Sequence, residues 1–355
     1  MQQFRFYRFF FITWLILFAY QQAKAESFLS DKIVIATLPS FEVSDYQIAI
    51  RQSLEILEGQ NGKLSPKTKP NIGIKIYAQS GPGLRTPRNL VLALIEELLH
   101  RGYTKEDLFI ADLSSNRLRD SGFLPPLSIG GNRFAGVQVI PLGEPERIDP
   151  VWFYESPLPP HRYSDPRSFD PREEQAIEDR NSYLPLPLLF QANFWFNLPV
   201  VTDHPQIGIN AALTNTSLWT VTNNQRFFNN RISGAAAAAE IAAIPELQET
   251  YGLTLLSLEK VQFVAGPSFN ANYTGSLPFL ILGTDRVSID RIALVQLNRL
   301  RVDRGFRPIN PDLPILRYAA SLGLGSPVLR PDQLLFLPSN QKSSQIFPPA
   351  EFPLE

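Results

Sequence analysis

Residues Asn71–Asp112 read NIGIKIYAQSGPGLRTPRNLVLALIEELLHRGYTKEDLFIAD. Ile72–Tyr77 is a short apolar run with β-branched residues, the pattern of a strand. Ser80-Gly81-Pro82-Gly83 breaks it with turn residues. Thr86 and Pro87 read as the N-cap and first position of a helix, NLVLALIEELLHR, that Gly102 ends. Leu108–Ala111 is a second apolar run, stopping at Asp112-Leu113-Ser114-Ser115. Strand, helix and strand in this order form a crossover unit, and such units build parallel sheets.

The same rhythm extends outward. Lys32–Leu38 reads as an earlier strand, and Ser44 with Gln47 as a capping box opening a helix to Glu58. Val137–Ile140 is a further strand. Residues 141–187 lose periodicity and are dominated by Pro, Arg, Asp and Glu, so they read as an insertion over the surface of one domain. The pattern resumes with Gln206–Ala211, an Ala-rich helix near Ser233–Ala243 and a strand at Leu253–Ser257. Phe279–Leu282 follows as a buried strand, then a helix after Thr284, a helix near Pro314–Leu322 and a strand at Leu334–Leu337. The expected architecture is α/β: a mostly parallel sheet with helices on both faces, one domain over 26–338. A polar, Pro-rich tail covers 339–355.

The first 25 residues stand apart. Arg5 and Arg8 precede an apolar run from Phe9 to about Tyr20, and Ala23-Lys24-Ala25 follows. That layout is a secretory signal, and it implies a periplasmic or extracellular protein. The chain has 33 basic and 34 acidic residues; without Arg5, Arg8 and Lys24 the balance is 30 against 34, a formal net of −4. Such a balance gives no bulk attraction to nucleic acid, nor to a membrane once the signal is cleaved. The absence of cysteine excludes disulfides, thiolate nucleophiles and an iron–sulfur cluster. Of the three histidines, His204, next to Asp203, is the one placed to matter.

Candidate site residues come from polar groups at strand ends and in loops. Lys75 interrupts an apolar strand, as a ligand contact or as a half-exposed strand lysine. Gly81-x-Gly83-x-x-Thr86 lacks the third glycine of a dinucleotide loop, so a plain turn is favoured. Asn210 to Asn230 is crowded with Asn, including Asn224, beside Trp219, Arg226, Phe227 and Phe228, and reads as a ligand-lining loop or as a surface loop with aromatic anchors, the first being favoured. Asn270 sits in a loop that leads into the strand at Phe279. Asp285 falls at a helix N-cap, which explains it; Asp290, on the border of that helix's apolar stripe, is left unexplained by capping and reads either as a partner of Arg286 four residues earlier or as a pocket-edge ligand. Asp285 and Asp290 together are the candidate ligands for a divalent cation.

Several segments resemble the domain-of-unknown-function 362 (DUF362) family, in its exported, cysteine-free branch. They are NIGIKIYAQSGPGLRTPRNLVLALIEELLHRG, SLWTVTNNQRFFNN with the Ala-rich helix after it, AGPSFNANY, GTDRVSIDRIA and RYAASLGLG, spanning about Asn71 to Gly325. The family's Asp-Pro-Val-Ala-x-Asp pattern maps onto Asp285, Val287 and Asp290. Arg286 stands where the family usually has Pro, and Ser257 stands near an expected aspartate. The resemblance implies fold and export more than a reaction.

Two functions stay open on these residues. One is an exported protein that binds or acts on a small polar or anionic molecule, with a cation at Asp285 and Asp290 and with Lys75 offsetting negative charge. The other is a non-catalytic binding or interaction protein, or a degenerate scaffold, using the same pocket. No nucleophile–base pair is legible. The signal layout makes one outcome concrete: mature protein recovered from the extracytoplasmic fraction of its native host begins at Glu26, as an intact mass will read. A full-length chain held in the membrane would refute it.

Overall fold

The computed structural model describes residues 29–59, 62–156, 180–229 and 231–338. The expected signal segment, the tail from Ser339 and residues 157–179 of the Pro-rich insertion lie outside the described residues.

The architecture is α/β. Strand β1 (Ile33–Thr37) leads into helix α1 (Val43–Glu58), then β2 (Ile72–Ile76), α2 (Arg88–His100), β3 (Leu108–Asp112) and the short α3 (Ser115–Asp120). A small hairpin, β4 (Arg133–Phe134) and β5 (Val137–Pro141), follows, then β6 (Ile148–Glu155), β7 (Asn181–Pro185) and α4 (Leu186–Phe190). Next come β8 (Phe194–Leu198), β9 (Val201–His204), β10 (Gly208–Asn210), α5 (Ala212–Asn215), α6 (Arg231–Ala242) and α7 (Pro245–Thr250). The chain continues with β11 (Tyr251–Ser257), β12 (Val261–Gln262), β13 (Thr274–Gly275), β14 (Phe279–Gly283), α8 (Arg286–Asp303), α9 (Pro314–Ser321) and β15 (Leu334–Leu337).

Nine strands form the main sheet, in the order β15-β1-β14-β11-β8-β2-β3-β5-β4. The block β11-β8-β2-β3-β5 is parallel throughout. Side-chain alternation divides each strand between two cores. Ile72, Ile74 and Ile76 of β2 pack with Leu54 and Leu57 of α1 and Leu90, Leu94 and Leu98 of α2. The opposite face carries Phe109, Ala111, Trp195 and Ile281, packed with the alanines of α6 and with Ile289, Ile292 and Leu297 of α8. Gly73 makes room there: a Cβ on it would come within 2.4 Å of the Trp195 ring.

Chain order within the parallel block determines where a ligand can sit. From β2 the chain winds through β3 to β5 on one side. It then returns to place β8 and β11 on the other. The winding reverses between β2 and β8, and the carboxyl ends of these two strands open a crevice that no crossover covers.

Four expectations are corrected. Strand β14 pairs antiparallel with both β1 and β11. Its carboxyl end therefore points away from the carboxyl ends of the parallel strands, with Gly283 opposite Ile33 at the start of β1. The handover to Asp285 is thus not at the ligand edge. Ser44 lies inside the first turn of α1; Glu42 occupies the N-cap position and makes no side-chain cap bond. The insertion is not structureless at its ends, since β6 and β7 pair antiparallel as a two-stranded ribbon. Gln206–Ala211 contributes β10 to a separate four-stranded sheet with β9, β12 and β13, not to the main one.

Thr86 also departs from its expected role. Pro87 takes the N-cap position of α2, and the Thr86 hydroxyl turns inward. It accepts from the Tyr77 amide at 2.8 Å and donates to the Leu198 carbonyl at 2.6 Å, tying the end of β2 to the end of β8. Thr86→Val keeps the shape and leaves a buried amide and a buried carbonyl unpaired. The expected loss is about 2–6 kcal/mol, from ~1–3 kcal/mol for each of the two orphaned groups. It will be read as a lower denaturant midpoint with an unchanged slope; a change under ~0.5 kcal/mol would show that the tie is dispensable.

Candidate functional site

The crevice beyond β2, β3 and β8 is an open cleft of about 560 Å³. The loop after β2 supplies Tyr77, Gln79 and Ser80, and the turn after β3 supplies Ser114, with Arg117 just beyond on α3. His204 at the end of β9, Gln206, Trp219, Gln225 and Phe228 form the facing wall, closed by Pro267 and Ser268. The aromatic rings make one continuous ledge. Trp219 stacks on Phe228 with centroids 5.1 Å apart, Tyr77 meets Trp219 edge-on at 5.7 Å, and His204 lies 5.0 Å from Phe228. Among the described residues the rest of the lining is neutral amide and hydroxyl, with Arg117 as its single fixed cation and no carboxylate.

His204 is buried, and desolvation pushes its pKa down to about 4. Its Nδ1 accepts from the Gln206 amide at 3.2 Å, which assigns the ring proton of the neutral imidazole to Nε2. At neutral pH it is therefore an uncharged donor. The Ser80 hydroxyl donates to the Pro267 carbonyl and lies 2.8 Å from the Tyr77 hydroxyl, fastening the two loops across the cleft.

Beneath the cleft lies a hydrogen-bonded chain of buried polar groups. Lys75 Nζ donates to Asp112 Oδ1 at 2.8 Å, to the Ile76 carbonyl at 2.7 Å and to Asn215 Oδ1 at 3.1 Å, so all three protons are used. Burial lowers the Lys75 pKa, and the charge of Asp112 opposes that shift. Asp112 Oδ2 accepts from the Ala78 amide at 2.8 Å and from Gln79 Nε2 at 2.9 Å. Asn215 donates to Asn197 Oδ1 at 2.8 Å, and Asn197 donates to the Ala212 carbonyl and to Thr254 Oγ1. Lys75, Asn197 and Thr254 stand side by side in register on three adjacent strands.

The structure does not gather the seven sequence-derived residues around one opening. Lys75 is inside the network, 1% exposed. Asn210 accepts from Trp219 Nε1 and from Thr214 Oγ1, and so sets the pose of a ring that does line the cleft. Asn224 donates to the Leu218 carbonyl at 2.7 Å and braces its own loop. Arg226 donates to Ser182 Oγ and stacks over Phe227, 4.4 Å from the ring centroid; burial lowers its pKa to about 10. Its work is to hold β7 against the loop. Asn270 caps a short turn, accepting from the Asn272 amide, while Pro267 and Ser268 of the same loop reach the cleft.

Asp285 and Asp290 are both engaged by internal donors in this geometry. Asp285 accepts from the amide and hydroxyl of Ser288 and from the Ser326 amide. Asp290 accepts from the amides of Ala212 at 2.6 Å and Leu213 at 3.1 Å. Among the described residues no group of three or more His, Asp or Glu is placed to hold a metal ion together. Arg286 does not hydrogen-bond Asp290. It donates to Thr216 Oγ1, the Ala242 carbonyl and Gln248, and its guanidinium sits 4.1 Å over the Tyr251 ring.

Sequence reasoning missed Arg117, Gln79, Gln206 and Gln225. Their convergence is a matter of long-range topology. The aromatic cluster around Trp219 and Phe228 was the usable signal, and the asparagines beside it serve the backbone. The chain matches no protein-family model and no curated protein, so the resemblance to the domain-of-unknown-function 362 family rests on the quoted motifs alone.

Asp290 makes a pH dependence calculable. Desolvation, the largest influence, raises its pKa to about 7, against the lowering effect of the two amides. The folded state therefore holds its proton more tightly than the unfolded chain. The associated stability is fully present below the unfolded pKa near 4 and is lost as pH rises through about 7, at up to ~1.4 kcal/mol per pH unit. In urea unfolding, Asp290→Asn will flatten that decline between pH 4 and 7. A variant with the same slope as the parent would remove Asp290 as its source.

Proposed function

We propose that the protein is an exported binding protein for a small molecule that carries a planar ring and an anionic group. The observation that carries this reading is the composition of the switch-point cleft. An aromatic ledge faces amides and hydroxyls, and Arg117 stands there with no carboxylate to neutralise it among the described residues. A ring would lie against Trp219 and Phe228. The anionic end would meet Arg117, whose planar guanidinium suits a carboxylate or phosphate. Gln79, Gln206, Gln225 and neutral His204 would supply orientation, as a few placed polar groups do in small-molecule sites.

Binding without chemistry is favoured over an enzyme by how the buried charges are used. Lys75, Asp112 and Asp290 all have internal partners. His204 spends Nδ1 on a backbone amide, so among the described residues no activated nucleophile–base pair faces the cleft.

Titration with aromatic carboxylates and aryl phosphates, followed by quenching of tryptophan emission and by thermal shift, tests the reading. A member of that set is expected to bind, and Arg117→Ala to weaken it roughly 10- to 100-fold, the ratio for losing a charge-assisted hydrogen bond of ~1.5–3 kcal/mol. The fold should be unaffected, because Arg117 is exposed. Binding indifferent to Arg117, or no binding across the set, would overturn the proposal.

A further inference from the structure

A second surface combines two features that the cleft does not use. The chain from Ser121 to Gly143 contains no acid. Within it, Leu127 is 77% exposed and Ile129 is 75% exposed, on a tight turn closed by the amides of Ile129 and Gly130 on the Pro126 carbonyl. Gly130 and Gly131 take positive φ values of 71° and 90°, which side-chain-bearing residues rarely adopt, and the chain doubles back there to Arg133. Two large aliphatic side chains at the tip of one short turn have no packing role in this fold.

Arginines surround the base of that turn. Arg88 of α2, Arg119 of α3 and Arg133 of β4 line a cleft of about 530 Å³ together with Pro125 and Pro126. No acid lines it. Past Arg88 and Leu92, residues common to both, a second cleft of about 500 Å³ adds Arg85 and Lys260, against the single acid Glu259. Burial and then the nearby Arg88 both disfavour the charge on Arg85, so these cations are close enough to repel. Asp120 is the one acid on α3. A chain with 34 acids against 33 bases has concentrated cations around its most exposed aliphatic turn.

We infer that this surface docks on an anionic lipid bilayer, with Leu127 and Ile129 entering the acyl boundary and Arg88, Arg119 and Arg133 meeting headgroup phosphates. Charge complementarity and the apolar tip point to the same occupant. A soluble anion would use the arginines and leave Leu127 and Ile129 without a purpose. The expectation of no membrane contact came from net charge, whereas a bilayer reads the local patch.

Because the chain has no cysteine, Ser128→Cys places a single environment-sensitive fluorophore at the exposed tip of the turn. The labelled full-length chain is mixed with vesicles of phosphatidylcholine alone or equimolar with phosphatidylglycerol. The label reports the turn itself, whatever the N-terminal apolar run does. A blue shift with the anionic vesicles only is expected, weakening with added salt. Arg119→Gln and Arg133→Gln should each raise the lipid needed for half the shift about fivefold, the ratio for ~1 kcal/mol per basic residue. Leu127→Ser with Ile129→Ser in the labelled chain should abolish it, with the thermal midpoint unchanged. No shift with anionic vesicles would overturn the inference. So would a shift that survives the double serine variant, or one that glycerol phosphate competes away, which would identify a site for free anions.

Discussion

The buried Lys75–Asp112 pair is the constraint from which the rest of the site follows. An ammonium and a carboxylate taken from water lose several kcal/mol of hydration each, and attraction alone seldom repays it. Here the other two protons of Lys75 and the second oxygen of Asp112 find further partners. Those partners are the architecture: the loop after β2 through Ala78 and Gln79, and α5 through Asn215. From Asn215 the bonds run to Asn197 on β8, then to Thr254 on β11. From α5 they also run to Asp290, whose carboxylate caps two amides and anchors α8. Loss of either member of the pair would orphan a charge and untie both walls of the crevice together.

That network explains how far the sequence could be read. Periodicity was enough for β2, α2, β3, β11, α8 and the α/β class, because each is decided by its own apolar spacing. Strand direction is not encoded locally. Phe279–Leu282 looks the same whether its neighbours run parallel or antiparallel, so the placement of Asp285 at the ligand edge failed on a property that only pairing with β1 and β11 reveals. Lys75 was weighed as a ligand contact or a half-exposed strand lysine. It is neither, and the missing term was Asp112 on the adjoining strand. Parallel β2 and β3 bring Lys75 opposite Ala111, one residue from that aspartate.

The asparagines misled for a related reason. Asn210, Asn224 and Asn270 satisfy loop backbone or neighbouring side chains, which is what a dense Asn loop needs before it can hold anything else. Their service to function is indirect: Asn210 grips the indole N–H of Trp219 and so orients the ring that faces the cleft. Residues that face solvent there, Gln79, Gln206 and Gln225, are unremarkable in sequence and acquire meaning only from the strand order that brings them together.

Helix α3 shows how little structure is needed to divide labour. Six residues long, it carries Arg117 and Arg119, two positions apart. At about 100° per residue such a pair points roughly 200° apart, to opposite sides of the helix. Arg117 reaches the switch-point cleft and Arg119 the arginine-lined one. Leu118 between them is fully buried and pins the helix, so neither arginine can swing toward the other's cleft without lifting an apolar side chain out of the core. The two proposed contacts, one with a small anion and one with a lipid surface, therefore stay separate in space while sharing a single rigid support.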